Sequence, residues 1–104
     1  MLFPTLSDLK DHLNITSDDY EFDSELPRHL AAAQEKVKAY LNRDVFVSLP
    51  DSPSDTDILL NDSISRAILE IAGYYFDAKG SVDASMVNNM LDAFVGHLRL
   101  SSFS

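Results

Sequence analysis

Residues 63–78, Ser-Ile-Ser-Arg-Ala-Ile-Leu-Glu-Ile-Ala-Gly-Tyr-Tyr-Phe-Asp-Ala, carry more apolar side chains than one side of a helix can hold. At helical spacing Ile64, Ala67, Ile68, Ile71, Ala72, Tyr75 and Phe76 form one broad face, which Leu69 and Tyr74 extend. Only Arg66, Glu70, Gly73 and Asp77 form a polar strip, with Arg66 and Glu70 one turn apart. A helix this apolar is either central to its fold or meets neighbours on two faces. The rest of the chain must supply the covering, and whatever it leaves uncovered is a hint of self-association.

The remaining segments predict an all-α fold: a small bundle of about four helices with a long extended loop or β-arm between helices 2 and 3. Thr5 is a good N-cap for a first helix over about 6–13, with Asp8 at the capping-box position and Leu6, Leu9 and Leu13 on one face. Asn14 suits the turn that follows. An acidic connection comes next, with Tyr20 and Phe22 as its anchors. A second helix over about 24–42, capped by Asp23 or Ser24, tolerates Pro27 only because it falls in the first turn. Its stripe is Leu26, Leu30, Ala33, Val37, Tyr40 and Leu41, and Ala31–Ala33 let another backbone approach closely. Residues 45–61 change character. Val45, Phe46 and Val47 favour a strand, while Pro50 and Pro53 forbid a helix. A segment of this length without regular structure is uncommon in a small domain and is usually functional or mobile. The third helix, about 63–78, is expected to be capped by Asp62 or Ser63. Gly80 is a stop signal, and a last helix over about 84–99, capped by Asp83 or Ser85, carries Val87, Met90, Leu91, Phe94, Val95 and Leu98 on one side. All 104 residues form one expected domain.

Charge and composition exclude several classes. Seventeen acids against eight bases give −9, with Lys10 the lone base among the acids of residues 1–27 and none among the five aspartates of residues 44–62. Such a surface repels phosphate backbones and anionic lipid, which argues against sequence-specific DNA binding. The absence of cysteine removes disulfides, thiolate zinc sites and thiol nucleophiles. His12, His29 and His97 fall on three different helices, in no ligand spacing. Asp18–Asp19 and Asp55–Asp57 lack the glycine and terminal glutamate of a calcium loop. With three glycines and no nucleophile or phosphate-loop motif, the chain reads as not an enzyme, with no catalytic, cofactor or metal residues. No signal-peptide pattern or spanning apolar run is present, so a soluble, cytoplasmic product is expected.

The order of these features is similar to that of the phage head–tail connector (adaptor, head-completion) family. Leu6, Leu9, Lys10, His12, Leu13 and Ile15 match its opening helix. Asp23, Leu26, Leu30, Ala32, Ala33, Val37, Tyr40, Leu41 and Arg43 match its second block, and Ile64, Ala67, Ile68, Leu69, Ala72 and Tyr75 its third. The likeness runs over about 5–79 and again in His97-Leu98-Arg99-Leu100. Where the family often has Leu-Pro before the third helix, this chain has Leu60-Asn61-Asp62, and Lys79 stands where an arginine is usual.

The resemblance implies a structural virion protein at the head–tail junction, present in the host cytoplasm during assembly. It would form a homo-oligomeric ring, typically dodecameric, between the portal protein and the head-closure or tail protein, extending the DNA channel without binding DNA specifically or touching membrane. On that reading the candidate subunit contacts are Ala31, Ala32, Ala33, Leu69 and Tyr74. Phe46, Leu49, Ile58 and Leu60 belong to a candidate arm, and Asp51, Asp55 and Asp57 are candidate channel-facing charges. The alternative is a monomeric acidic helical module that binds proteins or regulates by mimicking DNA. It accounts for the charge equally well, but not for the surplus apolar surface of the third helix.

Overall fold

The computed structural model describes residues 2–16, 18–52, 54 and 56–99. Four α-helices follow in order: α1 (Leu6–His12), α2 (Leu26–Leu41), α3 (Asp62–Ala78) and α4 (Ala84–Val95), the last running into a 3₁₀ turn at Gly96–Leu98. Two three-residue strands, β1 (Asp44–Phe46) and β2 (Asp57–Leu59), lie between α2 and α3. They pair in parallel, Asp44 opposite Asp57 and Phe46 opposite Leu59.

α3 is the central element, packed against α1, α2 and α4. Ile64, Ala67, Ile68, Ile71 and Ala72 have essentially no exposed surface and meet Leu9, Leu26, Ala33, Val37, Leu41, Val87, Leu91 and Val95 in one core. Each fully buried aliphatic side chain there contributes about 1.5–3 kcal/mol. Leu69, Tyr74, Tyr75 and Phe76 are half-buried against that core. Gly73 permits close approach of α1, because a Cβ at this position would lie 3.2 Å from Leu13 Cδ2. The molecule measures 43 × 32 × 18 Å.

The caps agree with expectation at two helices and differ at two. Thr5 and Asp8 form the reciprocal capping box, and Asp83 accepts from the Ser85 amide. For α3 the cap is Asn61, one residue before the expected pair; its side chain accepts from the Ile64 amide at 3.0 Å. The Asn61 side-chain oxygen therefore starts the helix. For α2 neither Asp23 nor Ser24 is the cap; the helix starts after Glu25 with no side-chain cap. The reason is competition for carboxylates. Asp23 is drawn to Lys10 Nζ at 2.7 Å, and Glu25 to His29 Nε2 at 3.0 Å, a hydrogen bond that holds the Glu25 carboxyl below the usual range. Pro27, lacking an N–H, removes one of the donors a cap would serve. At the far end of α3, Lys79 itself takes the left-handed conformation (φ 49°), and Gly80 follows at φ 93°.

Lys10 is 5% exposed, a buried base. Besides Asp23 it donates to the Asp19 carbonyl at 3.0 Å and lies 5.3 Å from the Tyr20 ring centroid. One ammonium thereby gathers the acidic connection, residues 19–23, onto α1. Phe22 anchors that connection as expected, edge-on to Phe76 at 4.9 Å, but Tyr20 is 70% exposed and shields Lys10 instead of entering the core. On the opposite side the Tyr40 hydroxyl donates to Asp92 Oδ1, tying α2 to α4.

Lys10→Met should lower the unfolding free energy by roughly 3 kcal/mol, since it strands a part-buried carboxylate, and adding Asp23→Leu should restore part of the loss; urea titration reads both. Desolvation first, and then the hydrogen bond to Asp92, raise the Tyr40 phenol above its ordinary value of 10.0. The proton is held more tightly in the folded state, so this contribution is complete below about pH 10 and is lost as pH climbs through the folded value. Denaturation across alkaline pH should show a smaller loss in Tyr40→Phe than in the native chain, the remainder coming from Tyr75, whose phenol is also raised by burial.

Candidate interaction surface

The described residues of the candidate arm are a loop and strand region between α2 and α3, buried at its two ends and with exposed apolar side chains beyond them. Val45 and Leu60 are buried, Phe46 and Ile58 half-buried, and Val47, Leu49 and Leu59 are 42–45% exposed. In a parallel pair, successive residues turn their peptide groups to opposite sides. The Leu60 amide donates to the Phe46 carbonyl at 2.8 Å, so the peptide groups of Val45 point away from β2. Three-residue strands are marginal alone. Arg43 supplies the missing support. Its guanidinium donates to the carbonyls of Thr56 (3.2 Å), Asp57 (3.4 Å) and Leu98 (3.3 Å). The single arginine pins the return of the arm and the 3₁₀ turn to the end of α2. A polar groove of about 750 Å³ runs beside β1, with Glu35, Lys38 and Ala39 of α2 on its far wall.

A second groove, of about 430 Å³, lies over α3. α1 and α4 both pack on α3 but make little or no contact with one another, which leaves a channel between them. Its floor is Glu70, Gly73, Tyr74 and Asp77, spaced as one helix face. His12 and Leu13 form one wall, and Met86 and Met90 the other. Three of the four residues in the expected polar strip thus line the open side of the central helix. Tyr74 is held in place because its hydroxyl accepts from the Asp83 amide at 2.9 Å. Glu70 lies 3.6 Å from Arg66 and 3.8 Å from His12. Among the described residues Asp77 has no ion-pair partner.

The candidate contact residues do not form one patch. Ala31 and Ala32 are exposed on α2, whereas Ala33 is fully buried in the protomer's own core. Leu69 and Tyr74 are half-buried on α3. Of the arm residues Leu49 is exposed, while Leu60 is at the core. Asp51 is exposed. Asp57 is half-buried, and its carboxylate accepts from the Ser54 amide and hydroxyl, at 2.9 and 3.0 Å. Asp55 lies outside the described residues. The roles of Lys10 and Arg43 are not visible in helix periodicity. Lys10 had two signals, as the lone base in an acidic stretch and as a match to the connector pattern, and Arg43 matched that pattern without a stated role.

Among the described residues no group of three or more His, Cys, Asp or Glu side chains is placed to hold a metal ion. No helix among them is long and apolar enough to cross a membrane.

Comparison with known proteins gives one family. A family model described as phage gp6-like head–tail connector protein matches residues 3–99. No curated protein and no solved structure matches the chain.

Arg43→Lys replaces a planar donor fork with a point charge that cannot reach three carbonyls at once. It should cost about 1–2 kcal/mol and speed hydrogen exchange at the Asp57 and Leu60 amides about tenfold, with α3 amides less affected.

Proposed function

The chain belongs to the phage gp6-like head–tail connector family, whose members are structural rather than enzymatic components of the virion at the head–tail junction, and from that premise we propose that its copies close into a ring between the portal and the head-closure or tail protein. In this reading the ring extends the DNA channel below the capsid, and its dodecameric form arises in the virion.

The observation that carries the ring is the arm. Val47, Leu49 and Leu59 are exposed apolar side chains on a segment whose base is pinned by Arg43. A ring needs a head-to-tail contact between two different surfaces of one protomer. The arm is one, and the exposed Ala31–Ala32 face of α2, with Arg28, Glu35 and Lys36 beside it, offers a smooth counterpart that carries two bases and one acid. The acidic arm is attracted to those two bases, while the −9 total keeps DNA from adhering as it passes. Asp51, exposed on the arm, is the acid we assign to the channel side. The monomeric acidic module accounts for the charge, but gives no role to the arm's exposed apolar residues.

Native mass spectrometry of the full chain, at rising protein concentration and with salt screening self-repulsion, tests the ring. Closed oligomers of one size are expected, together with a strictly monomeric Val47→Ser/Leu49→Ser variant of unchanged helicity. A chain that stays monomeric throughout, and also fails to assemble on isolated portal, would overturn the proposal.

A further inference from the structure

We propose that the groove over α3 is the docking site for a basic, amphipathic helical segment of another protein. The inference does not rest on ring closure; it concerns a surface separate from the arm.

Three observations carry it. The floor residues Glu70, Gly73, Tyr74 and Asp77 present an i, i+3, i+4, i+7 face, and α1 and α4 stand to either side without touching each other closely. That is the geometry into which a further helix lays its own ridge. The walls offer adaptable apolar side chains to a visitor: Met86 is 48% exposed, and Met90 and Leu13 are half-buried. Methionine at an open groove fits varied apolar anchors. The charge in the floor is acidic, and Asp77 has no ion-pair partner among the described residues.

Charge also selects the visitor. A second copy is a poor occupant. Most of the exposed large apolar residues of this chain lie near acids: Tyr20 beside Asp19 and Glu21, Val47 and Leu49 between Asp44 and Asp51, and Leu59 between Asp57 and Asp62; Leu2 does not. Docking those near acids here would bring carboxylate onto carboxylate. A helix with apolar anchors and lysine or arginine beside them satisfies both the methionine walls and the acidic floor. The volume, about 430 Å³, suits the anchor side chains of such a helix, with its backbone lying above the walls.

The probes are two synthetic amphipathic helices of identical leucine spacing, one with lysine and one with glutamate on the polar face. Methyl NMR of the full chain reads their binding. The lysine peptide should shift the Met86, Met90 and Leu13 methyls, more weakly as salt rises. Affinity should fall about tenfold in Glu70→Gln/Asp77→Asn, and also in Met86→Gln, with circular dichroism unchanged. Equal binding of the glutamate peptide, shifts centred on other acidic surfaces, or no shift at all would each overturn the proposal. So would methyl shifts that appear with protein concentration alone, since they would make a second copy the occupant. Oligomer mass, read in parallel, reports separately on the ring.

Discussion

The fold is governed by a covering problem. α3 is apolar over most of its circumference, and among the described residues three other α-helices are available to lie against it. They bury Ile64, Ile68 and Ile71 completely and half-cover the aromatic end, but α1 and α4 do not close over the last side, where a groove of about 430 Å³ remains. The sequence places Glu70, Gly73 and Asp77 on that side, residues that tolerate water. Gly73 also lets α1 sit close enough to narrow the opening. The central helix is therefore neither wrapped nor left greasy: its open face is polar, and methionines border it.

The same constraint shifts where exposed apolar surface resides. Periodicity in α3 led to an expectation of surplus there, yet its large apolar side chains are at least half-buried, and the more exposed ones are Leu2 and Tyr20 near the N-terminus, Val47, Leu49 and Leu59 between α2 and α3, and Val82 and Met86 near the start of α4. Helical spacing revealed which helix is central, because burial and period are the same information read in two ways. It could not reveal how far the neighbours reach around that helix, which depends on crossing geometry.

Local chemistry was legible where partners lie within a turn of each other, as with Thr5 and Asp8 or Asp83 and Ser85. It failed where a distant group competed. The start of α2 carries three acidic or hydroxyl candidates in a row, and two are claimed elsewhere: Asp23 by Lys10 and Glu25 by His29. Arg43 was opaque for another reason. Its acceptors are main-chain carbonyls of Thr56, Asp57 and Leu98, and a carbonyl leaves no trace in residue identity. The parallel pairing of β1 and β2 was hidden likewise, since two short apolar runs joined by a proline-rich loop admit either direction.

The three-way grip of Arg43 has a mechanical side. The guanidinium that holds residues 56 and 57 also holds the carbonyl of Leu98, near the C-terminal end of the described chain. Tension applied at that end is borne by the same side chain that seats the arm, so the two segments cannot be displaced independently. A tug at one is transmitted to the other through a single stiff planar group.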